Sequence, residues 1–242
     1  MSNCFRTLLT SGAARVVLVF LSAVLLGCGG GGGGGGGTNE KLPESFRILH
    51  AAEGIGAIDV SIGEDPVSLS LDYSEATNYF EIGEGAVPIR VRTENDVLPS
   101  ISADLSISAG STVTYIVTEA SGALVGTQYP DNVEEPDQGL FKLRFINAGV
   151  TDDKADFYLA FPGDDLDDAD VAAAEVAYKA ASAYVTADPG EYEIQVTRNA
   201  SERVVVTSES FAATEGEIIT VVMIESPRGG RPYSLLILRD VQ

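Results

Sequence analysis

The chain has 242 residues, with 36 acidic against 15 basic side chains and a net charge of −21. A surface this acidic repels phosphate backbones and anionic headgroups and lacks a basic stripe, which excludes nucleic acid as a partner. One histidine, two cysteines and no tryptophan leave little material for thiol or imidazole catalysis or for stacking on sugars.

Residues 1–27 carry Arg6 and Arg15, no acid, and an apolar run from Val16 to Leu26, the pattern of an export signal peptide. The run is shorter than the about 20 residues a transmembrane helix requires, and it stops at Gly27. Leu25-Leu26-Gly27-Cys28 resembles the lipobox of bacterial lipoproteins. It implies diacylglycerol on the Cys28 thiol, cleavage before that residue, and acylation, palmitate being typical, of the new amino group. An ordinary secretory signal with an incidental cysteine is the alternative.

Cleavage removes Cys4 with the signal, so no disulfide can form within the mature chain. It also removes two basic residues and no acids, leaving 13 minus 36, or −23. Residues 28–45 hold nine consecutive glycines, Gly29–Gly37, and read as a flexible tether with a root-mean-square reach of roughly 20 to 25 Å. Two or more acyl chains anchor stably. Gly29 after the cysteine, where Asp would signal inner-membrane retention, favours the outer membrane of a Gram-negative cell envelope.

Beyond the tether the chain repeats itself. Arg47-Ile48-Leu49-His50-Ala51 aligns with Arg144-Phe145-Ile146-Asn147-Ala148, and Ile58-Asp59-Val60 with Ala155-Asp156-Phe157, at an offset of 97. Tyr73-x-x-Ala76-Thr77-x-Tyr79 matches Tyr178-x-x-Ala181-Ser182-x-Tyr184, and Gly85-x-x-x-Ile89-x-Val91 matches Gly190-x-x-x-Ile194-x-Val196, now at 105. Copy two therefore carries an eight-residue insertion. The block from Gly110 to Val117 against Gly216 to Met223 adds one more residue of drift.

Both copies are dominated by period-two or apolar β-branched segments separated by turn signals. The expected fold is all-β: two tandem immunoglobulin-like antiparallel sandwiches, 46–133 and 139–242, joined near Asp131 to Gly139. Asp170 to Ala183 is alanine-rich and open to a helical reading; its partner in copy one, Leu69 to Tyr79, is rich in Ser, Thr and Tyr, so the repeat decides for strand.

Together, the Arg-x-x-His-Ala opening at Arg47, His50 and Ala51, the Ala-Ile-Asp-Val element at Ala57 to Val60, the Tyr-x-x-Ala-Thr/Ser-x-Tyr element and Gly190-x-Tyr192-x-Ile194-x-Val196 resemble the domain of unknown function family 4397. The resemblance covers nearly all of 45–240. It implies exported domains, often in tandem on lipoproteins and immunoglobulin-like in fold, and it supplies no catalytic residue. Copy one departs with Glu53-Gly54-Ile55-Gly56 where a Pro-rich turn is usual, and copy two has Asn147 in place of His50.

Of the chemistry-bearing residues, His50 has no nucleophile elbow, free thiol or second zinc histidine to work with. It reads as a structural residue whose hydrogen bonds Asn147 can also make. The insertion sets Asp164, Asp165, Asp167, Asp168 and Asp170 together, candidate oxygen ligands for calcium, with a solvated acidic loop as the alternative; the spacing matches no EF-hand. Asp59 and Asp156, matched across the copies, suggest a shared turn or strand-edge hydrogen bond. No other cofactor is expected. The resulting expectation is a membrane-anchored module of unassigned activity, non-catalytic, either binding an envelope protein or polysaccharide or serving as a spacer. A carboxylate-dependent envelope hydrolase is the competing reading, although two small sandwiches are expected to offer little cleft.

Overall fold

In the computed structural model, residues 44–93, 100–131, 134–149, 153–199, 201–227 and 232–240 are described. The signal, Cys28 and nearly all of the tether lie outside these residues.

Strand β5 (Gly85–Thr93) shows how the sequence dictates structure: Val87, Ile89 and Val91 point inward while Pro88, Arg90 and Arg92 face solvent. That is the alternation of a sheet with one wet face. With β2 (Ile58–Ile62), β3 (Asp65–Leu71) and β6 (Ile101–Ile107) it forms an outer sheet of order β3-β2-β5-β6. The inner sheet of the first sandwich, β4-β1-β7-β8, contains β1 (Ser45–His50), β4 (Phe80–Glu81), β7 (Thr112–Ala120) and β8 (Ala123–Asp131). Phe46, Ile48, Ile58, Ile89, Val91, Tyr115 and Val117 fill the space between the two sheets.

The second sandwich repeats this order. Its inner sheet is β12-β9-β16-β17, from β9 (Phe141–Asn147), β12 (Val185–Ala187), β16 (Ile218–Glu225) and β17 (Tyr233–Arg239). Its outer sheet is β11-β10-β13-β14, from β10 (Ala155–Ala160), β11 (Asp170–Val176), β13 (Gly190–Arg198) and β14 (Val204–Thr207), with β15 (Phe211–Ala213) also on β13. Phe141, Phe145, Phe157, Ile194 and Val221 form its core. Among the described residues there is no α-helix, and Asp170–Val176 is a strand, as the repeat requires.

Two expectations need correction. Pairing is antiparallel except for β1–β7 and β9–β16, which are parallel. Moreover, the strands β3 and β11 stop at Leu71 and Val176, short of Tyr79 and Ala183. The chain there leaves the outer sheet to reach the inner one, through positive-φ residues Ser74 and Lys179, so the ladder cannot continue. Its new role explains the Tyr-x-x-Ala-Thr/Ser-x-Tyr element: it covers the open edge of β1 or β9. Thr77 N–H donates to Ile48 O at 2.9 Å and Thr77 Oγ1 accepts from Ile48 N at 3.0 Å. Ser182 makes the same two bonds to Phe145, at 2.8 and 3.0 Å. Ala76 and Ala181 bridge to Leu49 and Ile146.

Asp59 and Asp156 also have matched jobs. Their Oδ1 atoms accept from Ser70 N at 3.0 Å and Glu175 N at 2.6 Å, residues held at φ 59 and 55. The carboxylates secure a strained bulge in each outer edge strand.

β7 and β16 are buried on both faces, Thr112–Thr118 and Ile218–Ile224 without a break. One face serves its own sandwich core. The other meets the neighbouring sandwich, where Leu49, Ala51, Ile116 and Tyr129 pack against Ile146, Ala148, Val222 and Ile224. Each large aliphatic side chain removed from water contributes roughly 1.5 to 3 kcal/mol. The two sandwiches accordingly belong to one compact unit, Lys41–Gln242.

Candidate binding site at the junction of the repeats

The junction is closed at one end by a ring of six side chains. Arg47 Nε donates to Thr114 Oγ1 at 2.8 Å, and Thr114 Oγ1 donates to Asp131 Oδ2 at 2.9 Å. Asp131 pairs with Arg144 of the second sandwich. Arg144 Nε donates to Thr220 Oγ1 at 3.1 Å, and Thr220 Oγ1 to Asp240 Oδ2 at 2.8 Å. Asp240 pairs with Arg47 and closes the circle. Both arginine side chains are 3% exposed and both aspartates 0%.

Each arginine also donates to the carbonyl before its partner's aspartate, Arg47 to Arg239 O at 3.1 Å and Arg144 to Pro130 O at 2.7 Å. Tyr79 and Tyr184, the last residues of the repeated element, lie against the two guanidinium groups at 4.5 and 5.1 Å. Tyr79 Oη donates to Asp131 Oδ2 at 2.8 Å, and burial with the nearby Asp131 charge holds that hydroxyl far above its ordinary pKa, so it remains a donor. Burial pushes the Asp131 carboxyl up while Arg144 pulls it down. A buried charge pair survives only when its remaining hydrogen-bond groups are satisfied, and the threonines and tyrosines do this here. The ring is a structural lock.

At the other end the same pseudo-symmetry leaves a hollow of about 400 Å³. Ala51 and its counterpart Ala148 line it, as do Glu119 and its counterpart Glu225, with Glu53 and Tyr178 beside them. Tyr73, the counterpart of Tyr178, crosses the junction and donates to Glu225 O. Small alanines leave the room, and the repeated element brings the tyrosines. Burial, with the Glu53 and Glu119 carboxylates nearby, raises the Glu225 carboxyl above the usual range. The hollow is wide enough for a small organic group and has three carboxyl groups in its lining. Its lining was half legible: Ala51, Ala148 and Tyr178 are motif residues, but no local signal marks the glutamates.

His50 and the acidic loop lie elsewhere. His50 is fully buried, its Nε2 on Gly56 O at 2.8 Å and its Nδ1 accepting from Ala52 N at 3.2 Å. Burial holds its pKa below the ordinary value. Asp165, Asp167, Asp168 and Asp170 are exposed, and Asp164 is half-buried with Oδ2 accepting from Phe161 N at 3.3 Å. Gln195 Nε2 holds the loop through Asp164 O at 2.7 Å. Among the described residues no three His, Cys, Asp or Glu groups gather to hold a metal ion.

The blocks that build the lock and line the hollow recur in one order in both halves, and a sequence-family model matches residues 45–158 and again 148–242. The chain belongs to the family DUF4397, a domain of unknown function. DUF4397 thus occurs here in tandem. No curated protein matches the sequence.

Among solved structures, the chain is similar to the family 26 carbohydrate-binding module CBMbc from Eubacterium rectale Amy13K in complex with maltoheptaose, at 8% identity and a TM-score of 0.26 over 82% of this chain and 98% of that one. It is also similar to an α-glucan-binding streptococcal virulence factor, at 11% identity and 0.27 over 74% and 92%. A third is a putative cell adhesion protein from Parabacteroides distasonis, at 8% and 0.18 over 81% and 98%. At TM-scores this low the likeness bears on no ligand.

Proposed function

We propose that this protein is an exported, lipid-anchored module of the cell envelope that binds a cationic group of a partner protein in the junction hollow and performs no chemistry on it. The observation that carries the reading is the hollow itself, built jointly by two locked sandwiches. Carboxylates beside tyrosine rings are the chemistry that recognises an ammonium or guanidinium group. Acyl chains on Cys28 and the glycine-rich tether would hold the module near the outer membrane, where its charge keeps it soluble.

The test is calorimetric titration of the mature chain with lysine amide, arginine amide and spermidine, beside neutral glucans. Saturable binding of a cation, weakened at least tenfold by Glu119→Gln with Glu225→Gln, is the expected result; tenfold corresponds to about 1.4 kcal/mol. Binding of glucans alone, or of nothing, would contradict it. One observation favours a second reading, hydrolysis: Glu225 with its raised pKa stands near two other carboxylates, as an acid/base pair would. Turnover in a glycoside screen, lost in Glu225→Gln, would establish that reading instead.

A further inference from the structure

A sheet edge presents a row of unpaired backbone groups, and proteins ordinarily protect it. Most edges here are protected. β4 and β12 have two and three residues. β3 and β11 are bulged. β8 contains Gly126 and Pro130, β6 carries an exposed Asp104 at its centre, and β14 has only four residues.

β17 has none of these devices. Its seven residues pair with β16 in unbroken register from Glu225↔Tyr233 to Ile219↔Arg239. Between Tyr233 and Leu238 there is no charge, glycine or proline. Its other edge has no strand partner among the described residues.

That edge opens on a groove of about 830 Å³ between the two sheets, with Val206, Phe211, Leu235 and Ile237 among its lining residues. Two differences between the copies make it. In the first sandwich, Arg90 pairs with Ser102 and Val87 with Leu105, so two residues face two. In the second, Gln195 pairs with Thr207 and Tyr192 with Phe211, so Glu193 and Ile194 face three residues, Ser208–Ser210. This extra residue is the final step of sequence drift, and it splits one strand into β14 and β15. The second difference is a filler. In the first sandwich the Tyr115 ring lies over Gly126 of the edge strand, so near that a Cβ there would stand 1.7 Å from its hydroxyl. The matching residues are Val221 and Leu235, neither of which carries a ring.

We propose that β17 accepts an extended basic peptide from another protein as an added strand, its side chains entering this groove. Only a polypeptide complements a row of backbone N–H and C=O groups. Glu193 and Glu209 on the groove wall favour basic side chains, the Arg203 charge before β14 lies in a neighbouring hollow and not in the groove lining, and a chain of net charge −21 repels a second copy of itself. This surface is separate from the junction hollow and does not depend on the function proposed for it.

The test is hydrogen exchange of the full mature chain with three nine-residue probes. One alternates Val and Lys, one alternates Val and Glu, and one is the Val/Lys peptide methylated on every backbone nitrogen. The Val/Lys peptide should slow exchange across 233–239, and the other two should bind at least tenfold more weakly. Ile237→Lys, which points a charge into the seam, should reduce binding while keeping the wild-type circular dichroism. Equal binding of the methylated peptide, protection only near Glu119 and Glu225, or pairing of two chains through β17 without peptide would each overturn the proposal. The second of these would leave the junction reading intact.

Discussion

His50 and Asn147 perform one task with different chemistry. Each accepts a hydrogen bond from the backbone N–H two residues on, Ala52 N to His50 Nδ1 and Gly149 N to Asn147 Oδ1, both at 3.2 Å. Each also reaches a distant carbonyl, His50 Nε2 to Gly56 O at 2.8 Å and Asn147 Nδ2 to Val176 O at 3.0 Å. The geometry needs a neutral imidazole, since a protonated Nδ1 cannot accept.

Stability therefore depends on pH through His50. Its folded pKa lies below the ordinary 6.5, so the unfolded chain binds the proton more readily, and stability falls as pH drops from 6.5 toward the folded value. His50→Asn, the second copy's own solution, should flatten this part of the stability curve, and urea denaturation from pH 7.5 to 5 checks it. An unchanged slope would contradict the neutral assignment.

The lock invites a double-mutant cycle. Arg47→Met leaves Asp240 buried and unpaired and should cost about 3 to 5 kcal/mol. Adding Asp240→Leu should recover a substantial part, because no uncompensated charge remains. Additive losses would show that the ion pair does not couple the sandwiches.

Gly126→Ala should destabilise the chain by about 1 to 3 kcal/mol through collision with the Tyr115 ring. The penalty should shrink in a Tyr115→Val background, which copies Val221. Equal penalties in both backgrounds, read from thermal melts, would mean that the ring can move aside.

Repeat order, strand content and the matched roles of His50 with Asn147 and Asp59 with Asp156 were legible because each lies in a motif with a local consequence. The lock was not. Its members meet across separations as large as 193 residues, and Asp131 stands where the sequence reads as a joint. One signal was available: Thr112–Thr118 and Ile218–Ile224 carry little charge on either face, as strands buried on both sides do. The parallel pairing of β1 with β7 is likewise a tertiary choice that alternation does not encode. The groove beside β17 was missed because it comes from differences between the copies, one extra residue and one lost ring.

The anchor is tested by fractionation. Wild-type chain should partition with membranes and incorporate labelled palmitate, and Cys28→Ala should be unlabelled and either soluble or unprocessed. Unlabelled, soluble wild-type protein would contradict lipidation.

The central claim is that two DUF4397 sandwiches are locked into one body by Arg47, Asp131, Arg144 and Asp240, and differential scanning calorimetry of the mature chain tests it most directly. A single transition, with calorimetric and van't Hoff enthalpies equal, should resolve into two in Arg144→Met. Two independent transitions in the wild-type chain would contradict it.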